Sequence, residues 1–125
     1  DPFIADTAYY YPYSLDMGLL QEAAGAIMEY KDFRAFSKRN TQVKSFVCDI
    51  FSSQWLQEKE CLVYRVRANR LPRGMVKGLA GTMLQTGRGK LTISEFKAII
   101  VAGDPSRVDF SVPSHGLFLN RVEFP

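Results

Sequence analysis

Residues 61–77 read CLVYRVRANRLPRGMVK and contain the pattern that decides the fold. Apolar and polar side chains alternate through the first nine residues, which predicts a β-strand over residues 61–69. Proline and glycine then end the alternation and open a helical pattern. One strand face is predicted to carry Leu62, Tyr64, Val66 and Ala68, and the opposite face Val63, Arg65, Arg67 and Asn69.

The segment before this strand predicts a hairpin preceded by a helix. Residues 45–56 are rich in β-branched and aromatic types, and the polar residues 57–60 separate them from the next strand. Further upstream, Ser14 is predicted to cap a helix over residues 15–29, with Asp16 in its first turn. Its apolar stripe is formed by Leu19, Leu20, Ala23, Ala24, Ile27 and Met28.

The segment after the strand predicts two helices and a last strand. Pro72 suits the first turn of a helix over residues 71–86, and Gly87 suits its C-terminal cap. Residues 92–95 (TISE) match a capping box and predict a helix that ends near residues 103–105. A final strand is expected over residues 117–124. The order α, β, β, α, α, β predicts one α+β domain over residues 1–125, an antiparallel sheet backed by helices.

The first residues are aromatic, with Phe3 and tyrosines at 9, 10, 11 and 13. They predict an extended segment laid against the domain. Two uses are open for these tyrosines: packing on the sheet, or stacking against bases.

Composition excludes several classes of protein. No apolar run approaches the ~20 residues that cross a bilayer, so no membrane partner is expected, and no secretory leader is visible. Two cysteines, Cys48 and Cys61, are too few for a disulfide scaffold and are expected to be reduced thiols of a cytoplasmic protein. A single histidine, His115, argues against a metal site and against a Ser-His-Asp triad. The chain opens at Asp1 without methionine, as expected of a processed or excised piece.

Positive charge is concentrated in the middle of the chain. Residues 34–90 carry twelve basic and three acidic side chains, although the net charge of the whole chain is only +3. A concentrated basic stretch attracts polyanions, most often nucleic acid, but scattered surface arginines would give the same composition. The densest part, residues 65–77, joins a basic strand face to a basic helix start, which suits the backbone of a bent RNA.

Several motifs in this region resemble the tRNA pseudouridine synthase A family. Residues 67–77 (RANRLPRGMVK), 81–84 (GTML) and 87–91 (GRGKL) are similar to the family's Ala-Asn-x-Phe-Leu-x-x-Met-Val-Arg, Gly-Thr-Leu and Val-Gly-x-Gly. Residues 32–36 (DFRAF) and 116–125 (GLFLNRVEFP) resemble its Asp-Phe-x-x-Phe and its Gly-Leu-x-Leu-x-x-Val-x-Tyr-Pro ending. The matches run in family order from about residue 2 to residue 125.

The resemblance implies the C-terminal half of an isomerase that converts uridine to pseudouridine in the tRNA anticodon arm, on a ferredoxin- or RRM-like fold. It implies no cofactor and no metal, a homodimer, and an N-terminal half of the same protein that supplies the catalytic aspartate. That aspartate lies in an Arg-Thr-Asp-x-Gly-Val-His motif, which does not occur here, so this chain alone is expected to be inactive. The family's Met-Val-Arg arginine pairs with the aspartate, and Lys77 stands at that position.

The basic pattern and the resemblance together give the remaining candidate site residues. RNA-binding residues are expected at Arg39, Lys44, Arg65, Arg67, Asn69, Arg70 and Arg73, and residues lining the uracil pocket at Leu71, Met75, Gly116 and Leu117. Three positions depart from the family: Lys77 replaces arginine, Leu71 replaces phenylalanine, and Pro72 replaces leucine. Lysine keeps the charge but lacks the two-pronged guanidinium fork. The departures leave a non-catalytic RNA-binding relative as the alternative.

Overall fold

The computed structural model describes residues 3–11, 13–37, 45–59, 61–111 and, for the backbone alone, 118–123. The predicted α+β class is confirmed. Strands are β1 (Phe3–Tyr9), β2 (Ile50–Glu58), β3 (Cys61–Ala68) and β4 (Phe118–Glu123). Helices are α1 (Met17–Ala26), α2 (Arg73–Gly87) and α3 (Ile93–Ala102), with short 3-10 turns at Ile27–Glu29, Arg34–Phe36 and Pro105–Arg107.

The four strands form one antiparallel sheet in the order β2-β3-β1-β4. The predicted order of elements lacked β1, because the aromatic segment was expected only to lie extended against the domain. Instead β1 lies inside the sheet between β3 and β4. Its partners are distant in sequence: Ile4 pairs with Arg67 on one side and Glu123 on the other.

The predicted hairpin is confirmed, and so is the alternation along β3. Leu62, Tyr64, Val66 and Ala68 are all buried. On the opposite face Val63 is also buried, whereas Arg65 is half-buried and Arg67 is exposed. The first strand of the hairpin, β2, begins at Ile50 and not at residue 45, because the segment before Ile50 makes its hydrogen bonds to another part of the chain. The Cys48 amide donates to the Lys31 carbonyl at 2.8 Å, which holds this segment away from β3.

The core lies between the helices and one face of the sheet. Trp55 is fully buried at its centre, with its ring 5.9 Å from that of Tyr9 and 5.0 Å from that of Tyr64. The side chain of Gln21 on α1 donates to the Trp55 carbonyl and accepts from the Trp55 amide. Helix α1 is thereby fastened to the edge strand β2.

Three helix ends differ from prediction: the start of α1 and both ends of α2. Asp16, not Ser14, caps α1: its side chain accepts a hydrogen bond from the Leu19 amide. The Asp16 amide donates to the Gly87 carbonyl, and this bond keeps the chain before Asp16 out of the helix. Helix α2 includes Gly87 and is preceded by Pro72, so proline is its N-cap and Arg88 its C-cap. The predicted capping box of α3 is confirmed between Thr92 and Glu95.

Both cysteines are free thiols, as the sequence predicts. Cys48 is buried, and that burial raises the pKa of its thiol. Cys61 is half-buried at the start of β3.

No helix within the described ranges is both long and apolar enough to cross a membrane.

Two glycines of α2 are expected to respond oppositely to alanine. A Cβ at Gly78 would lie 2.8 Å from Cε1 of Phe110 and 3.2 Å from the Phe36 carbonyl oxygen, whereas a Cβ at Gly74 would meet nothing within 4 Å. We expect Gly78→Ala to lower the free energy of unfolding by about 1–3 kcal/mol through overpacking. Gly74→Ala should raise it by about 0.5 kcal/mol by restricting the unfolded chain. Urea denaturation of both variants tests this, and equal shifts would contradict it.

Candidate nucleic-acid interface

The turn from β3 into α2 is held by Asn69. Its side-chain oxygen accepts from the amides of Asp49 and Arg70, each at 2.8 Å, and its own amide donates to the Asp49 carbonyl at 3.0 Å. Asp49 in turn pairs with Lys31 at 2.7 Å. Asn69, predicted to bind RNA, is therefore also the residue that fixes the path of the basic segment.

Arg65 forms a two-pronged ion pair with Asp6 on the sheet face opposite the core. Its Nε and Nη2 donate to the two carboxylate oxygens at 2.8 and 2.9 Å. Their side chains are 38% and 15% exposed, so the pair is partly screened from water. Asp6 largely neutralises Arg65, which makes Arg65 a weaker attractor of phosphate than the sequence suggested.

Arg67 lies two residues after Arg65, on the same face of β3. Its guanidinium carbon is 5.5 Å from the centre of the Phe51 ring. Arg67 is exposed, and Phe51 is 46% exposed. An aromatic ring beside a cation was not among the predicted site residues.

Three cations follow along the start of α2. Arg70 and Arg73 are exposed, and Lys77, one helical turn after Arg73, is half-buried. No hydrogen bond or ion pair joins Lys77 to another residue in the ranges that the structure describes. A half-buried ammonium without a carboxylate partner is available to pair with a carboxylate from outside the described residues.

The predicted pocket residues Leu71 and Met75 are 3% and 1% exposed and belong to the core of this chain. Their place at the uracil pocket stays a prediction. Four further site residues, Arg39, Lys44, Gly116 and Leu117, lie outside the described residues, as does His115.

A shallow cavity of about 150 Å³ lies at the opposite end of β3, beside Cys61 and Leu62. Tyr11 and Tyr13 line it, and the Arg88 guanidinium lies 3.7 Å from the centre of the Tyr13 ring. Burial raises the pKa of the Tyr11 hydroxyl, and its hydrogen bond to Arg88 opposes that rise. No local pattern in the sequence indicates this cavity, because its walls come from segments about fifty residues apart.

The tyrosines of the first segment are used in different ways. Tyr9 is 1% exposed and packs on the sheet, which confirms one of the two expected uses for that residue. Tyr10 is 49% exposed. Whether an exposed tyrosine stacks against bases stays a prediction.

Comparison with known proteins places these features in a family. The family model described as tRNA pseudouridine synthase matches residues 30–125. The chain is 42% identical to the tRNA pseudouridine synthase A of Parabacteroides distasonis over 125 residues, which is 100% of this chain and 50% of that protein. It is 38% identical to the enzyme of that name from Bacteroides fragilis, over 99% of this chain and 50% of the relative.

A third relative gives the same result. The tRNA pseudouridine synthase A of Bacillus pumilus is 37% identical over 96% of this chain and 49% of its own length. The chain thus spans about half the length of the curated relatives it matches. With the matches covering nearly all of its residues, the chain belongs to the tRNA pseudouridine synthase family.

Proposed function

We propose that this chain is the tRNA-binding and pocket-completing half of an enzyme that isomerises uridine to pseudouridine in the tRNA anticodon arm. The observation that carries the proposal is Lys77. It stands at the family's aspartate-pairing position, and it is half-buried on α2 without an acidic partner in the described part of the chain. The missing carboxylate would come from the other half of the protein.

In this proposal Lys77 orients the catalytic aspartate and stabilises its ionised form, because an adjacent cation lowers a carboxyl pKa. Arg67, Arg70 and Arg73 bind backbone phosphates, which position the RNA without reading its sequence. Leu71 and Met75 support the wall of the uracil pocket from the core. Isomerisation breaks the bond from the ribose to uracil N1 and forms one to C5; the C5 hydrogen leaves as a proton, and N1 takes up a proton from solvent. We propose that this half requires no cofactor for these roles.

The wider arrangement is also proposed. Residues 1–125 would form one domain, joined to an N-terminal domain of the same protein that contains the catalytic aspartate. The intact protein would be a cytoplasmic homodimer. The half length of the chain relative to its curated relatives supports the two-domain arrangement.

A second candidate function is a non-catalytic RNA-binding module. Lys77 favours it, because an ammonium cannot grip a carboxylate with two parallel hydrogen bonds as a guanidinium does. Leu71 and Pro72, where the family has phenylalanine and leucine, favour it as well.

The test is release of tritium from tRNA labelled at uridine C5, with the full gene product and with this chain as the paired control. Release by the full product alone would support the proposal that the other half of the protein supplies the catalytic aspartate. Release by this chain alone would contradict it. Silence from both, with tRNA still bound, would select the non-catalytic module.

The arginines make a separate prediction about salt. Each phosphate contact steepens the fall of log K with log salt by about 0.7–0.9. In the full gene product, Arg67→Ala combined with Arg73→Ala should therefore flatten the slope for tRNA binding by about 1.4–1.8. Lys97→Ala, on α3 and paired with Glu29 at 3.7 Å, is the matched control and should leave the slope unchanged. An unchanged slope in the double variant would remove both arginines from the phosphate contacts.

A further inference from the structure

We propose that Phe51 and Arg67 form a stacking platform that takes one unpaired base of the bound RNA. This inference rests on the proposed tRNA binding and deepens it, because it adds a base contact to a surface so far assigned only to phosphates. The pair lies at the end of the β2–β3 ladder next to the Asp49–Asn69 junction.

A β-bulge presents the Phe51 ring. In the register, Ile50 pairs with Ala68 and Ser52 pairs with Arg67, so Phe51 is the additional residue between them. The bulge allows Ile50, 9% exposed, to stay in the core while Phe51 remains 46% exposed. Bulges often re-aim a side chain beside a functional site.

The ring takes no part in the core. Phe51 is absent from the buried cluster and from the half-buried residues packed against it. The ring makes a cation–π contact with Arg67, whose guanidinium carbon lies 5.5 Å from the ring centre. An exposed aromatic ring braced by an arginine offers two planar groups, and both stack on nucleobases.

The positive charge around the platform favours RNA as its ligand. Arg67, Arg70 and Arg73 follow one another from the platform to the start of α2, and all three are exposed. The nearby carboxylate of Asp49 is engaged by Lys31 at 2.7 Å. A base on Phe51 would therefore have its flanking phosphates beside cations, as in single-strand sites that combine a basic path with aromatic stacking.

The experiment uses the full gene product and measures Kd for unfractionated tRNA at three salt concentrations. Stacking of one base is worth about 5- to 150-fold in affinity and is carried by the ring rather than by charge. Phe51→Ala and Phe51→Leu should both weaken binding within that range at every salt concentration. Plots of log K against log salt should stay parallel to that of the wild type. Phe51→Trp should bind within about twofold of the wild type.

Phe51→Leu guards against a change in folding, since it keeps an apolar side chain at the bulge. Val101→Ala removes part of another exposed apolar side chain, 74% exposed on α3, and should bind as the wild type does. Wild-type affinity in Phe51→Leu would overturn the platform and leave the proposed function standing. Absence of tRNA binding by the wild type itself would overturn both.

Discussion

Lys77→Ala in the full gene product is expected to lower kcat for pseudouridine formation by about 100-fold or more, with little change in KM for tRNA. The lysine is proposed to hold the catalytic aspartate, and a displaced catalytic group costs rate rather than substrate affinity. Single-turnover tritium release at saturating tRNA measures the effect. Lys97→Ala, a lysine on α3 already paired with Glu29, is the control and should keep full activity.

The same variant should change the pH dependence of the rate. In the proposed pairing, the Lys77 ammonium would hold the pKa of the aspartate low, so that its ionised form would persist to low pH. Without the cation that pKa rises, by about 1–3 units for a close pair, and the acid limb of the rate profile moves to higher pH. Lys77→Arg should be at least as active as the wild type. Unchanged activity and an unchanged profile in Lys77→Ala would contradict the pairing.

Trp55→Ala is expected to lower the free energy of unfolding by about 3–5 kcal/mol. The indole is fully buried between the rings of Tyr9 and Tyr64, so truncation opens a large cavity and removes two aromatic contacts. Trp55 is the one tryptophan of the chain, so far-UV circular dichroism in urea is the suitable measurement.

Trp55→Phe should cost much less, about 1 kcal/mol. The indole Nε1 is buried without a hydrogen-bond partner in the described part of the chain. Removing this donor also removes its desolvation penalty of about 1–3 kcal/mol, which offsets part of the stability lost with the smaller side chain. Equal losses in the alanine and phenylalanine variants would show that the aromatic contacts contribute little.

Local patterns account for the part of the fold that was predictable. The alternation along β3 and the capping box at Thr92 each depend on neighbours within four residues, and both are confirmed. Ser14 and Asp16 are both good caps, so sequence alone could not choose between them. The hydrogen bond from the Asp16 amide to the carbonyl of Gly87, which is distant in sequence, determines which residue is the cap.

The sequence predicts the residues of the candidate site, namely a set of cations with Asn69 and four pocket residues, but not the surface that they form. Arg65 and Asp6 are 59 residues apart, and only the pairing of β1 with β3 brings them together. Phe51 belongs to a segment that reads as an ordinary strand, and a bulge is a property of two paired strands rather than of one. Charge can be counted along a sequence, whereas its neutralisation depends on tertiary contacts.

The position of β1 inside the sheet has a consequence for synthesis on the ribosome. Residues 3–9 are synthesised before their partners in β3 and β4, which lie as far along the chain as Ala68 and Glu123. At roughly 5–20 residues per second, β1 waits on the order of 10 s for β4 to be made. Such non-local pairings also close slowly once the chain is present. During that interval at least one edge of β1 is open to chaperones or to other chains, and the sheet becomes complete only when β4 has been made.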